Sequence, residues 1–462
     1  MKPVLLVDFG STNTKVTAVD VENCCILGTA AAYTTVETDI NEGLHNALKI
    51  LEKTTGRLEF EERYACSSAA GGLKMISIGL VPELTAQASR EASLGAGAKV
   101  WKTYSFNLTK GDMKEIEAYH PDIILLTGGT DGGNAECILY NARMLSELSY
   151  DCPIVLAGNR CAADECAEIL GDRSVFICEN VMPRLGELNI EPTQKQIREI
   201  FLKRIVQGKG LSEASDLVSG IIMPTPSAML TAMELLSDGW EDSQGIGELV
   251  GVDLGGATTD VYSIAEGNPA NMATVMKGIQ EPYAKRSVEG DIGMRYSVEG
   301  ILEAAGDRKL AKLSGLNRQK IPELVQFLAE HTDYIPDCEE MEKLDFALAC
   351  AAVETAVARH AGTLEQVYTP CGLTFLQSGK DLRRVKNVVV TGGALIHAKH
   401  TEEIAAHALF DESTPGSLRP ENARILIDRK YILAAMGLLS QHYPQAALEI
   451  MKKEIAYYGH KE

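Results

Sequence analysis

Two segments that join a strand to a glycine turn constrain this chain more than any other feature. In the first, an apolar run leads to Asp8 and then Gly10, and in the second a similar run leads to Asp253 and then Gly255. Glycine permits a tight turn whose backbone N–H groups face an anion, and hydroxyl side chains follow in both segments. The repeated order predicts a phosphate site built twice, with one carboxylate from each segment near the accompanying magnesium.

The length and charge of the chain limit the classes of protein to which it can belong. Its 462 residues exceed what one hydrophobic core usually holds, so we expect two halves, at residues 1–240 and 248–462. The net charge of −20 argues against a surface that grips nucleic acid, because such binding depends on Lys and Arg neutralising phosphates. We therefore expect no nucleic-acid partner.

The start of the chain and its cysteines point to an intracellular environment. Asp8 interrupts the first apolar run, so we expect neither a signal peptide nor a membrane span, and we predict a cytoplasmic protein with no membrane partner. The 11 cysteines include no Cys-x-x-Cys pair. We therefore expect most of them to be buried reduced thiols rather than disulfides or metal ligands.

The pattern of apolar residues predicts an α/β protein. Three strands, a helix at residues 40–54 and a fourth strand predict a mixed sheet in the first part of the chain. Residues 120–190 show a doubly wound β-α-β-α-β rhythm, which is either an inserted layer or the completion of the first domain. Residues 240–247 are predicted to be a linker, and residues 296–360 to be helical with interruptions at Gly306, Gly315 and Pro322. Residues 388–390 are predicted to form the last strand.

The two aspartate turns, together with a third strand–glycine segment that ends at Gly392 and Gly393, resemble the nucleotide site of the actin-like ATPases. This superfamily includes chaperones, sugar and acetate kinases, and reactivating factors. The resemblance implies two actin-like, ribonuclease H-like ATPase halves with mixed sheets, in addition to the doubly wound segment. It also implies ATP and magnesium as cofactors, with the nucleotide held between the halves.

The same resemblance implies a role for each residue of these segments. Asp8 and Asp253 are implied to be catalytic and to hold magnesium, directly or through water. The residues implied to bind ATP are Gly10, Ser11, Thr12, Asn13, Lys15, Gly255, Gly256, Ala257, Thr258, Thr259, Gly392 and Gly393. Two interpretations stay open at neighbouring positions: Lys15 as a solvated strand residue, and Asp260 as a capping residue.

Five longer sequence segments resemble those of a narrower family, the glutamate mutase accessory proteins called GlmL or MutL. They lie at residues 67–75, 79–85, 127–134, 289–295 and 428–437. This resemblance implies a chaperone-like reactivating factor, a slow ATPase that releases damaged cobalamin from adenosylcobalamin-dependent glutamate (methylaspartate) mutase. The mutase subunits are then its partners, and a homo-oligomer is also open. The DNA mismatch-repair protein that shares the name MutL has a different ATPase fold.

The sequence leaves other functions open. An actin-like small-molecule kinase would need a base beside the γ-phosphate, for which Asp253 is a candidate. An activator of another enzyme, such as the iron–sulfur activators of 2-hydroxyacyl-CoA dehydratases, would need bridging cysteines, and Cys371 is the one candidate. A site that binds ATP without turning it over is a third alternative.

A glycine-rich turn at residues 127–134 has no place in this scheme. It follows a strand and precedes a helix, so it is either an anion site at the helix N-terminus or a packing or partner-contact turn. We favour packing or partner contact, because the other three segments already accommodate ATP. The chain also lacks an Asp-x-His-x-x-Gly segment, so we expect cobalamin to belong to the partner.

Overall fold

The chain divides into two compact units in the computed structural model. Unit 1 is Met1–Thr231 with Ala434–Ala446, and unit 2 is Ala232–Leu433 with Ala447–Glu462. The functional halves expected at residues 1–240 and 248–462 stay a prediction. The structure describes residues 1–10, 13–33, 40–68, 74–208, 221–270, 274–370 and 372–456.

The strands follow in chain order. Unit 1 contains β1 (Pro3–Phe9), β2 (Asn13–Asp20), β3 (Cys25–Tyr33), β4 (Glu62–Ser67), β5 (Lys74–Gly79), β6 (Lys99–Ser105), β7 (Ile123–Leu126), β8 (Ile154–Leu156), β9 (Val175–Ile177) and β10 (Ile221–Pro224). Unit 2 contains β11 (Gly239–Trp240), β12 (Ser243–Gln244), β13 (Leu249–Leu254), β14 (Thr259–Ile264), β15 (Thr274–Lys277), β16 (Ala284–Glu289), β17 (Thr363–Thr369), β18 (Gly372–Ser378), β19 (Asn387–Thr391) and β20 (Arg424–Ile427).

The helices connect and cover these strands. They are α1 (Ile40–Thr55), α2 (Gln87–Gly95), α3 (Lys110–Tyr119), α4 (Glu136–Ser146), α5 (Ala163–Leu170), α6 (Glu191–Gly208), α7 (Thr225–Asp238), α8 (Val298–Ala305), α9 (Asp307–Ser314), α10 (Ile321–Glu330), α11 (Glu339–His360), α12 (Gly393–Ile396), α13 (Thr401–Ala406), α14 (Leu433–Leu439) and α15 (Pro444–Met451). Short π-helical turns lie at Pro82–Ala86 and Lys452–Ala456, and 3-10 turns at Arg160–Ala162 and Arg318–Lys320.

Each unit contains a five-stranded mixed sheet, and the two sheets have the same topology. In unit 1 the strand order is β3-β2-β1-β4-β10, and in unit 2 it is β16-β14-β13-β19-β20. In both, the first three strands pair antiparallel and the last three pair parallel. The expected fold class, α/β with two like halves, is confirmed.

The central strands explain why the sequence shows continuous apolar runs before the two aspartates. β1 and β13 have a neighbour on each side, and their apolar residues are buried on both faces of the sheet. Alternating polar residues would have indicated one face in water. In unit 2 the core continues from Val250 and Val252 into the long helix α11, through Leu344 and Leu348. The aspartates therefore stand at the ends of rigid, central strands.

A separate parallel sheet is inserted between β4 and β10 of unit 1. Its order is β6-β5-β7-β8-β9, and every neighbouring pair is parallel. The β-α-β-α-β pattern corresponds to β7, β8 and β9, so the segment is an inserted layer and not the completion of the mixed sheet. The layer begins earlier than expected, at Lys74, because β5 and β6 carry polar residues such as Ser77 and Thr103 that weaken their apolar signal.

Several other elements differ from the predicted ones. The strand predicted at residues 388–390 is β19, but it is not the last, because β20 follows it. The linker at residues 240–247 includes the short hairpin of β11 and β12. The helical region ends and restarts at Gly306 and Gly315, as expected. An additional three-stranded sheet, β15-β18-β17, was not predicted.

The described cysteines are free thiols, and their burial is mixed. The buried ones are Cys66, Cys137, Cys152, Cys166 and Cys350, whereas Cys161 and Cys338 are exposed. Cys371, the candidate cluster ligand, lies outside the described residues. In the part of the chain that the structure describes, no helix is both long and apolar enough to span a bilayer.

Candidate functional site

The Asp8 turn, residues 8–15, joins β1 to β2. The backbone N–H of Gly10 donates to the carbonyl oxygen of Asn13 at 3.1 Å, which closes the turn. Asp8 and Lys15 face each other across the two strands. Gly10 is buried and Asn13 is exposed. Ser11 and Thr12, both expected to bind phosphate, lie outside the described residues.

The Asp253 turn, residues 253–260, repeats this geometry in unit 2. The N–H of Gly255 donates to the carbonyl oxygen of Thr258 at 3.0 Å, and Asp253 faces Asp260 across β13 and β14. Each turn thus has an aspartate at the strand end, a glycine two residues later and a closing bond to the third residue after it. The likeness seen in the sequence is therefore a likeness of backbone structure.

The Asp8 carboxylate is buried and has a partner on each of its oxygens. Its Oδ1 accepts a hydrogen bond from Thr225 Oγ1 at 2.7 Å, and its Oδ2 lies 3.2 Å from Lys15 Nζ. Cys66 Sγ lies 3.5 Å from Oδ1, and burial, followed by the charge of Asp8, raises the pKa of that thiol well above its usual value. Cys66 is therefore a protonated donor and not a nucleophile. Lys15 is an ion-pair partner of Asp8 and is only partly exposed, so it is not a solvated residue.

Asp260 occupies the position that matches Lys15, but with the opposite charge. Its Oδ1 accepts from Arg286 Nε at 2.8 Å, and the Arg286 side chain is 4% exposed. Asp260 is therefore an ion-pair partner of Arg286. It is not a helix cap, because it lies within β14. The second turn thus has a fixed cation behind it, on β16.

The Gly392 segment lies directly beside the Asp253 turn within unit 2. β19 is parallel to β13, and Thr391 is opposite Asp253. Gly392 has φ of +98°, and a Cβ there would lie 2.6 Å from Asp253 Oδ1 and would overlap the carbonyl oxygen of Leu254. Only glycine allows this approach without strain. Gly393 is exposed and starts α12.

The carbonyl groups of the Asp253 turn, unlike most of its amide groups, have hydrogen-bond partners in the part of the chain that the structure describes. The carbonyl oxygens of Gly255, Gly256 and Ala257 accept hydrogen bonds from residues 294–297. Among the described residues, no acceptor lies opposite the N–H groups of Gly256, Ala257 and Thr258. Gly256 and Ala257 are also exposed. Consecutive exposed amides of this kind form an anion-binding concavity.

The two threonines of the Asp253 turn have different local partners. Thr258 Oγ1 lies 3.5 Å from Asp260 Oδ2 and is only partly buried. Thr259 is fully buried, and its hydroxyl donates to the carbonyl oxygen of Ile292 at 2.9 Å. The Thr259 hydroxyl therefore supports the turn from inside. Contact of either residue with nucleotide stays a prediction.

The glycine-rich turn at residues 127–134 is held by buried asparagines. Asn159 Oδ1 accepts from Gly132 N at 3.0 Å, and Asn159 Nδ2 donates to the carbonyl oxygens of Gly133 and Asn134. Asn180 Nδ2 donates to the Gly129 carbonyl and to Asp131 Oδ1. These bonds hold the turn in place, and its role in packing or partner contact, as favoured from the sequence, stays a prediction.

Thr225 and the residues that support the Asp253 turn were not predicted as part of the site. Thr225 is 217 residues from Asp8, so no local pattern connects them. One signal was available: Thr225 follows a strand and begins a helix, as residues at the carboxyl edge of a sheet often do.

The duplicated sheet and its paired aspartate turns define the class of the protein, an actin-like α/β protein of two similar halves. Within that class the chain belongs to the MutL protein family, whose model matches residues 4–455. Protein MutL of Clostridium tetanomorphum is 49% identical over 457 residues, which cover 98% of this chain and 99% of that protein.

Solved structures give only a distant likeness. Diol dehydratase-reactivating factor in its nucleotide-free form is 10% identical, with 96% of this chain and 100% of that chain covered and a TM-score of 0.35. Component A of (R)-2-hydroxyglutaryl-CoA dehydratase from Acidaminococcus fermentans is 10% identical, with 97% and 100% covered and a TM-score of 0.31. At these TM-scores the likeness carries no argument, and the fold class rests on the two sheets.

Proposed function

We propose that this protein binds Mg-ATP and acts as a chaperone-like reactivating factor for adenosylcobalamin-dependent glutamate mutase. In this proposal, ATP binding and slow hydrolysis drive the release of damaged cobalamin from the mutase. The mutase subunits are the partners, and the cobalamin belongs to them. Two observations support the choice of partner. The chain belongs to the MutL family, and the five sequence segments that resemble the accessory proteins are spread over residues 67–437.

The observation that carries the nucleotide part of the proposal is the repeated turn. Gly10 and Gly255 close equivalent hairpins at the ends of equivalent strands, and each hairpin follows a carboxylate. Among the residues that the structure describes, the amides of Gly256 and Ala257 meet no acceptor, and such amides suit phosphate oxygens. The proposed nucleotide contacts are Gly10, Ser11, Thr12, Asn13, Lys15, Gly255, Gly256, Ala257, Thr258, Thr259, Gly392 and Gly393.

The carboxylates fit a role with magnesium, since that ion prefers oxygen ligands and keeps several waters. Asp8 and Asp253 are the residues that would hold it, and when bound it neutralises phosphate charge. Asp253 would orient the magnesium or the attacking water. Lys15 pairs with Asp8 at 3.2 Å and carries the charge that a phosphate attracts.

An ATPase with two conformational states provides a physical mechanism for acting on the proposed partner. A mutase that loses its adenosyl group retains a tightly bound, inactive corrinoid, and its release requires a factor that binds one conformation better than another. Contacts to the γ-phosphate exist before hydrolysis and disappear after it. The nucleotide state can therefore bias which mutase conformation is bound.

The test is recovery of glutamate mutase that has been inactivated with hydroxocobalamin. Purified protein, Mg-ATP and fresh adenosylcobalamin are added, and mutase activity and ADP formation are followed together. We expect recovery that requires ATP. In the Asp253→Ala variant we expect a folded protein with neither hydrolysis nor recovery. Asp307→Ala, which removes a partly exposed carboxylate at the start of α9 together with its ion pair to Arg318, should keep wild-type hydrolysis and recovery.

The other functions predict different results in the same experiment. ADP formation that depends on an added small-molecule substrate, without recovery, would indicate a kinase. Iron bound to the purified protein would indicate an activator of the dehydratase type. ATP binding with recovery but no ADP formation would show that binding alone is sufficient. Wild-type turnover by Asp253→Ala would overturn the role given to Asp253.

A further inference from the structure

The Asp253 turn rests on a second stretch of chain, residues 289–297, which we call the supporting segment. The N–H of Met294 donates to Gly255 O at 3.1 Å, and the N–H groups of Arg295 and Tyr296 donate to Gly256 O at 2.8 and 2.9 Å. These bonds occupy the carbonyl side of the turn. They therefore orient its amide side away from the supporting segment.

Ser297 completes this arrangement with its side chain. Its Oγ lies 2.8 Å from Ala257 O and 3.1 Å from Gly290 O, so the hydroxyl connects the turn to the start of the supporting segment. Gly293 packs so closely that a Cβ there would overlap the backbone of Ala257. Three successive carbonyl groups of the turn are thus held by one short segment.

The supporting segment is itself fixed to α11. Arg295 Nη1 lies 2.7 Å from Asp345 Oδ1, and Arg359 Nη1 lies 2.8 Å from both Glu289 Oε2 and Asp291 Oδ1. Asp345 and Arg359 both belong to α11, which is packed into the core of unit 2. The segment is therefore tied to a rigid element at both of its ends.

We propose that Ser297 is a positioning residue that holds the amides of Gly256, Ala257 and Thr258 in the orientation that receives phosphate. The inference rests on the proposed nucleotide site. Ser297 does not touch the ligand and acts through the Ala257 carbonyl. Preorganised donors bind an anion without the free-energy cost of ordering the loop. Loss of the Ser297 hydroxyl therefore lowers the affinity for Mg-ATP without removing a ligand contact.

The test compares three serine variants of the full-length protein. Ser297→Ala removes the hydroxyl, whose single proton is shared between the Ala257 and Gly290 carbonyl oxygens, and Ser297→Thr keeps it. Ser314→Ala is the matched control, because Ser314 Oγ also donates to a backbone carbonyl in unit 2, at 2.7 Å from Leu310 O, but in α9 and away from the turn. Mg-ATP affinity is measured by calorimetry. Amide exchange in the turn is measured without nucleotide at Gly255, Met294, Arg295 and Tyr296, whose N–H groups form the bonds that close and support it.

We expect Ser297→Ala to weaken Mg-ATP binding roughly tenfold and to speed amide exchange in the turn by a similar factor, the effect of about one lost hydrogen bond. Ser297→Thr should restore both, and Ser314→Ala should change neither by more than about twofold. Equal effects of Ser297→Ala and Ser314→Ala on affinity would contradict the proposal, as would unchanged exchange in the turn. If the wild type binds no Mg-ATP, the proposed function fails, and the exchange data still decide whether Ser297 positions these amides.

Discussion

Thr225 Oγ1 donates a 2.7 Å hydrogen bond to Asp8 Oδ1, joining the first residue of α7 to the end of β1 across 217 residues of sequence. The acceptor is a carboxylate that is almost completely buried. A buried charge depends on such donors, since it has lost its water. The bond therefore fixes the carboxylate that we propose as a magnesium-holding group.

Replacement of Thr225 by Val should weaken unit 1. We expect the free energy of unfolding to fall by about 1.5–3 kcal/mol, the value of a hydrogen bond to a charged group. Thr225→Ser should stay within about 1 kcal/mol of wild type, because it keeps the hydroxyl. Urea denaturation measures both. In an Asp8→Ala background the Val substitution should cost much less, and an undiminished cost there would show that the bond to Asp8 is not the cause.

Gly392 and Gly393 offer a matched pair of substitutions. Gly392→Ala places a Cβ 2.6 Å from Asp253 Oδ1 at a φ of +98°, so we expect a loss of about 1–3 kcal/mol in stability and loss of Mg-ATP binding. Gly393→Ala meets no atom within 4 Å and should change stability by less than about 0.5 kcal/mol. Thermal unfolding measures the stability of each variant, and calorimetry measures its affinity for Mg-ATP. Equal behaviour of the two variants would show that the close approach of Gly392 to Asp253 is unimportant.

Local patterns in the sequence predicted the aspartate turns, because strand, carboxylate and glycine are neighbours there. The same holds for α11 and for the breaks at Gly306 and Gly315, where a glycine ends a helix. Thr225 and Ser297 could not be found in this way. Each acts on a residue far away in sequence, and only the folded sheet brings the partners together.

Strands were missed where their residues are polar or their runs short. β20 has four residues and only two are buried, so it shows almost no apolar signal. β17 and β18 form a largely exposed hairpin, which gives neither a continuous apolar run nor a clean alternation. The interpretation of Asp260 stayed open in the sequence for another reason: its buried partner Arg286 lies on a different strand, 26 residues later.

Stability should depend on pH through His360. The ring is buried, with Nδ1 2.7 Å from Ser287 Oγ and Nε2 2.8 Å from Ser263 Oγ. Burial, and then the charges of Lys285 and Lys380, lower its pKa well below 6.5. Lys285 is itself paired with Glu281. The folded protein therefore keeps His360 neutral at a pH where the unfolded chain takes up a proton.

The contribution of His360 to the free energy of unfolding is therefore fully present above pH 6.5 and is lost as the pH falls below it. We expect His360 to contribute a loss of about 1.4 kcal/mol between pH 7.5 and 5.5. Urea denaturation at several pH values measures it. His360→Gln, which can still bond both serines, should be less sensitive to pH by that amount. Parallel pH profiles for wild type and variant would rule out His360 as the source.

Asn159 tests whether the turn at residues 127–134 is a packing element. Asn159→Ala removes the acceptor for Gly132 N and Cys161 N, each at 3.0 Å, together with two donated bonds. We expect a loss of about 1–3 kcal/mol in the free energy of unfolding. Asn159→Asp keeps the acceptor oxygen but turns a buried carboxylate oxygen toward the Gly133 and Asn134 carbonyls, so its cost should be at least as large. Mg-ATP affinity should stay within about twofold of wild type in both variants, because the turn holds the parallel sheet and not the nucleotide. A large drop in affinity from a variant that remains folded would instead make this turn part of the nucleotide site.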